Sequence, residues 1–86
     1  MENYVYPFET ILEVNKAKYI DGYKLLISFN TGEKKIVDLE GKLEGPVFKP
    51  LQNIEEFKKF KIDYTIEWAS GADIAPEYLY EIGEPI

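Results

Sequence analysis

Ile11-Leu12-Glu13-Val14-Asn15-Lys16-Ala17-Lys18-Tyr19-Ile20 runs into Asp21-Gly22, and Tyr23-Lys24-Leu25-Leu26-Ile27-Ser28-Phe29 runs out of it. An Asp-Gly pair between two apolar runs is a strong hairpin signal, because a type I′ turn needs positive φ at both central residues. Leu25, Ile27 and Phe29 share one parity and Lys24, Leu26 and Ser28 the other, so the second strand has one core face. In the first strand Glu13, Lys16 and Lys18 alternate imperfectly with Leu12, Val14, Ala17 and Tyr19. That break in the period predicts a bulge near Asn15.

Outward from the hairpin, Asn30-Thr31-Gly32-Glu33 is a second turn, and Lys34 to Leu39 returns as a third strand with Ile36 and Val37 in its middle. Three strands joined by short turns make an antiparallel meander with one packed face. Asp38 to Pro46 then leaves the sheet. Its two glycines and proline mark a loop, with Leu39 and Leu43 spaced for one short helical turn. Val47, Phe48 and Leu51 re-enter the core, and Pro50 bars a long strand there. Asn53 followed by Glu56 has the pattern of a capping box and predicts a helix from Ile54 to about Phe60. Ile54, Phe57 and Phe60 form its apolar stripe. A helix this short is marginal alone, so the stripe must dock on the sheet.

Lys61 to Trp68 has the cleanest alternation in the chain. Ile62, Tyr64, Ile66 and Trp68 take one parity, and Lys61, Asp63, Thr65 and Glu67 the other. This reads as an extended segment with a solvated charged face. Ser70-Gly71 ends it. Pro76 suits the first position of a helical turn that runs to Tyr80 or Glu81 and is ended by Gly83 and Pro85. Residues 1–10, with Pro7, read as a lead-in, and residues 82–86 as a tail. The expected architecture is a single α+β domain over residues 1–86. It has a three-stranded antiparallel meander, a further strand or hairpin, one short helix packed on the sheet and a C-terminal helical turn.

Eighty-six residues leave room for a shallow groove and little for a deep pocket. Seven tyrosines and five phenylalanines supply the buried area that so short a chain needs. Cysteine, histidine and arginine are absent. Disulfides, Ser-His-Asp and Cys-His catalysis and the usual zinc or copper sites are thereby excluded. No glycine-rich phosphate loop occurs, since Gly41 and Gly45 lack the following Lys-Ser/Thr. Residues 1–61 hold ten lysines and ten acids. The net charge of −6 therefore lies entirely in Asp63, Glu67, Asp73, Glu77, Glu81 and Glu84. An acidic end repels nucleic-acid backbones and suits a basic protein. It also serves as a solubilising surface. No segment has the pattern of a signal peptide or the length of a membrane span, so the expected setting is the cytoplasm, with no membrane contact and no nucleic-acid partner.

The segment from Trp68 to Tyr80 supplies the candidate interaction residues Trp68, Asp73, Glu77, Tyr78 and Tyr80. Trp68 has two readings, a core anchor that closes the sheet or an exposed hot spot. Tyr78 and Tyr80 lie about 160° apart on a helix, so one of them faces water. Asp73 reads foremost as a turn residue bonding nearby backbone N–H groups. Asp73 and Glu77 offer oxygens four residues apart, too few for a calcium site. No catalytic residue, metal or cofactor is expected.

Several motifs together resemble the domain-of-unknown-function 2442 family: Leu25-x-Ile27-x-Phe29-Asn30-x-Gly32-Glu33, Val37-Asp38-Leu39, Gly45-Pro46-Val47-Phe48-x-x-Leu51, Phe57, Thr65-Ile66-Glu67-Trp68, and Gly71-Ala72-Asp73-Ile74-Ala75-Pro76-Glu77-x-Leu79-Tyr80. The similarity runs from about residue 11 to 81. It departs at Ala69-Ser70, where the family often has Pro-Asn. The resemblance implies a small bacterial α+β domain with no established activity. Some family members are implied to be encoded beside another small protein, in an arrangement like that of toxin–antitoxin pairs. The expected role is a non-enzymatic protein-interaction module, antitoxin-like toward a small basic protein, or one that self-associates through a sheet edge. The alternative is a small-ligand-binding regulatory domain with a groove between the sheet and the Trp68–Tyr80 segment.

Overall fold

The computed structural model describes residues 11–86, and the expected lead-in over residues 1–10 lies outside them. Strand β1 (Val14–Asp21) pairs antiparallel with β2 (Lys24–Phe29), and β2 pairs antiparallel with β3 (Lys34–Asp38). The β1–β2 register shifts between Val14 and Lys16, which puts the bulge at Asn15. A second shift between Tyr19 and Asp21 changes the expected turn. Asp21 pairs with Lys24, so the central turn residues are Gly22 and Tyr23, and only Gly22, with φ 52°, has positive φ, so the turn is not type I′. The odd residue is absorbed as a bulge beside a single left-handed glycine. Leu25, Ile27, Phe29 and Val37 are buried on the inner face of the meander.

The Lys61–Trp68 segment is a hairpin, not one long strand. β4 (Lys61–Asp63) folds back on β5 (Thr65–Glu67), with Ile62 opposite Ile66 and Lys61 opposite Glu67. Tyr64 alone forms the apex. Its φ of 59° is the only positive value at a non-glycine residue among those described. The Tyr64 carbonyl accepts the Val14 N–H at 2.9 Å, which ties the apex to the start of β1. β6 (Asp73–Ile74) adds to β5, completing a second, three-stranded sheet. Thr65, expected on the wet face, is buried, because its hydroxyl donates to the Ile74 carbonyl across the sheet.

Between the sheets, Leu39 to Gly45 is a loop with no helical turn, although Leu39 and Leu43 are both buried. A 3-10 helix over Pro46–Gln52 follows. It leads into α1 (Ile54–Phe57), which is shorter than the spacing of its stripe predicts. Only half of the capping box forms. The Asn53 side chain accepts the Glu55 N–H at 2.9 Å, while the Glu56 carboxylate pairs with Lys59. Phe57 is fully buried. Tyr23 and Tyr19 meet its ring edge-on at 5.0 and 6.3 Å, and Trp68 lies 5.8 Å away.

α2 (Pro76–Ile82) starts at its proline and buries Pro76 and Leu79. The expected tail is part of the sheet: β7 (Glu84–Pro85) pairs antiparallel with β3, giving the order β1-β2-β3-β7. Pro85 is tolerated because β7 is an edge strand. Gly83 carries the chain from helix to strand across Lys35. A Cβ at position 83 would lie 2.8 Å from the Lys35 Cβ, closer than real contacts allow. Among the described residues no helix is long and apolar enough to cross a membrane.

Two stability measurements follow from this packing. Phe57→Ala should cost about 3–5 kcal/mol in a denaturant melt, and a loss under about 1 kcal/mol would show that the ring is not a core anchor. A left-handed residue with a Cβ carries roughly 1–2 kcal/mol of strain, so Tyr64→Gly should be neutral or stabilising by up to about 1 kcal/mol. Tyr64→Val, β-branched at positive φ, should destabilise; the reverse order of the two variants would be inconsistent with a left-handed apex.

Candidate functional site

The five candidate interaction residues divide between core and surface. Trp68 is a core residue, 3% exposed, and is removed from the candidate surface. Its indole N–H donates to the Phe57 carbonyl at 2.8 Å, which supplies the partner a buried tryptophan requires. Tyr80 packs inward: its ring meets Phe29 edge-on at 5.2 Å, and the Lys35 ammonium sits 3.7 Å over it. Lys35 also donates to the Tyr80 carbonyl at 2.8 Å. Tyr78 is the exposed member of the pair, at 41%. It shares the outer side of α2 with half-buried Glu77 and exposed Glu81, opposite buried Pro76 and Leu79.

Asp73 is not a turn residue. It lies in β6 directly opposite Glu67, and its carboxylate makes no hydrogen bond or ion pair among the described residues. The hairpin and β6 thus align Lys61, Glu67 and Asp73 in one cross-strand row, while Ile62, Ile66 and Ile74 form the next. Opposed residues project from the same face of a sheet. The isoleucine row turns inward, with Ile66 and Ile74 buried, and the charged row turns away from it. Exposed Asp63 and the apex Tyr64, 58% exposed, stand at the end of that hairpin. Glu67 and Tyr64 therefore belong to the candidate surface, although neither stood out in the sequence. Alternation assigned Tyr64 to the core, and no glycine or asparagine marks the apex. Glu67 gains its meaning only from the β5–β6 register.

Where a groove is expected between the sheet and the Trp68–Tyr80 segment, Trp68 packs on Phe57, and Tyr80 on Phe29 and Lys35. Two clefts are present, and neither Trp68 nor Tyr80 lines them. One, of about 310 Å³, is lined by Tyr23, the 39–44 loop and Gln52. The other, of about 490 Å³, lies by Lys24, Ile36, Lys42 and Ile82. No group of three or more acidic residues is placed to hold a cation among the described residues.

One carboxylate is tuned by its neighbours. The Tyr80 hydroxyl and then the Thr31 hydroxyl donate to Glu33 Oε1, and both bonds hold the Glu33 carboxyl below the usual carboxylate range. A lowered folded-state pKa means that these bonds contribute fully above the unfolded pKa, and that the contribution is lost as pH falls through the folded value. In Tyr80→Phe the Glu33 carboxyl resonance should titrate at higher pH than in the wild type. The stability gap between the two proteins should narrow on acidification, and a gap that widens toward low pH would contradict the assignment.

The comparisons with known proteins agree with the motifs and add little to them. No curated protein and no solved structure matches the chain significantly. The family model described as protein of unknown function (DUF2442) matches residues 14–85, which spans β1 through β7. The chain belongs to the DUF2442 family.

Proposed function

We propose that this domain is a non-enzymatic protein-interaction module of the bacterial cytoplasm that takes a basic protein partner, in the manner of an antitoxin, on the outer face of its second sheet. The observation that carries this reading is the pairing of Glu67 with Asp73. Directly opposed like charges destabilise an antiparallel pair. Lys61, opposite Glu67 on its other side, offsets part of this for Glu67 alone, and neither carboxylate is in an ion pair among the described residues. A cationic partner relieves that repulsion. Asp63 and exposed Tyr64 extend the same hairpin, giving an aromatic contact beside the charge. Glu77, Tyr78 and Glu81 continue the acidic and aromatic character on the outer side of α2. Steering by such a face speeds encounter with a basic protein and weakens as salt screens it.

The test is co-purification of the tagged chain from its native host at low and high salt. A stoichiometric basic protein should be retained at low salt and lost at high salt. The same preparation from Asp73→Thr should retain less of it, while that variant's own stability rises by about 0.2–1 kcal/mol. Absence of a stoichiometric partner at either salt concentration, or undiminished retention by Asp73→Thr, would refute the reading.

A further inference from the structure

The first cleft has a built floor. Leu39 and Leu43 are buried beneath it, and Tyr23 closes one side. Its walls are tied down by their own bonds. The Tyr23 hydroxyl donates to the Gln52 carbonyl, the Tyr23 carbonyl accepts the Leu39 N–H at 2.9 Å, and the Gln52 side-chain amide donates to the Leu43 carbonyl at 3.3 Å. The Tyr23 ring is further held edge-on against Phe57. The hydroxyl and the amide are thus already engaged. What remains are the carboxylates of Glu40 and Glu44, both exposed, both lining the cleft, and neither hydrogen-bonded or ion-paired through its side chain among the described residues.

The 39–44 loop separates its charges by side. Lys42, between the two glutamates, lines the second cleft with Lys24, Asp38 and Glu84, and no cation lines the first. An apolar floor under two unneutralised carboxylates complements a side chain with a long hydrocarbon stem and a compact charged head. Lysine is that side chain: four methylenes and an ammonium with three donors that can be shared between separate carboxylates. The geometry points to this cleft as the seat of one lysine of the basic partner, its stem over Leu39, Leu43 and the Tyr23 ring and its ammonium between Glu40 and Glu44. The inference rests on the protein-partner reading and adds a second contact, away from the Glu67–Asp73 row.

The experiment is an amide NMR titration of the full-length chain with acetyl-Gly-Lys-Gly-amide. The same peptide with norleucine, which has a similar stem and no amine, is the control. Saturable shifts are expected at Gly41, Leu43 and Gln52, with about tenfold weaker binding of the norleucine peptide, since the charge-assisted bonds are gone. Glu40→Gln/Glu44→Gln should reproduce that loss, and Glu67→Gln/Asp73→Gln should not. Equal binding of the two peptides overturns the proposal. So do shifts centred on Glu67 and Asp73, or binding unchanged in Glu40→Gln/Glu44→Gln. Tighter binding of 1,5-diaminopentane than of the lysine peptide, by about tenfold or more, assigns the cleft to a free amine instead. A captured partner whose retention depends on Asp73 alone, with the peptide silent, removes the cleft and leaves the interaction reading standing. A cleft that takes the lysine peptide while no partner is captured removes the interaction reading and, with it, the assignment to a partner.

Discussion

The Trp68 indole N–H and the Phe57 carbonyl meet inside the core, and the rest of the structure depends on that bond. It joins the end of α1 to the residue that follows β5, the central strand of the small sheet. An α-helix continued past Phe57 would spend that carbonyl on the amide four residues further on. Here Lys61 already begins β4, and the indole takes the carbonyl instead. The indole brings a polar N–H that needs an acceptor in the dry interior, and the early end of α1 supplies one. Tyr23 and Tyr19 then close on Phe57 from the meander, so one aromatic cluster fastens both sheets and the helix.

Much of this was legible in the chain, and the failures have definite causes. The meander could be read because a two-residue period and turn glycines are local signals. The bulge at Asn15 announced itself as a break in that period. The fold-back at Tyr64 could not be seen. Its register pairs residue 62 with 66 and 61 with 67, so a hairpin preserves the same parity that one straight strand would have. Alternation is blind to that difference, and Asp63, the one turn-forming residue in Asp63-Tyr64-Thr65, is followed by no glycine or asparagine that would mark a left-handed apex. The Glu56 half of the capping box is missing for another reason: Glu56 has Lys59 within reach, and pairing outward competes with reaching back. The strand at Glu84–Pro85 carries no propensity and exists only because β3 offers an unpaired edge.

The same distinction holds for the candidate surface. Counting acids along the sequence locates the negative charge in the last 25 residues, but a count says nothing about which carboxylates face one another. Register does. It sets Glu67 against Asp73, leaves Glu77, Tyr78 and Glu81 on the outer side of α2, and turns Tyr80 toward Phe29 and Lys35. Tyr78 and Tyr80 differ only by a helical rotation, yet one is held by the sheet and the other meets solvent. Trp68 was the most conspicuous residue in the sequence, and it is structural. The surface charges are ordinary residues given meaning by their neighbours.

Gly83 has a consequence for how the protein fails. The missing side chain lets the chain cross Lys35 closely enough for Glu84 and Pro85 to lie along β3. A larger residue there forces its surroundings apart, and Glu84 and Pro85, paired through two residues only, have the least to hold them in place. Losing two residues of pairing costs little of the core, so such a variant keeps its fold. What it exposes is the edge of β3, a row of unpaired backbone groups beside Ile36. The damage would therefore be seen as strand-to-strand aggregation at high concentration rather than as a lower melting point, and position 83 acts as a guard on solubility more than on stability.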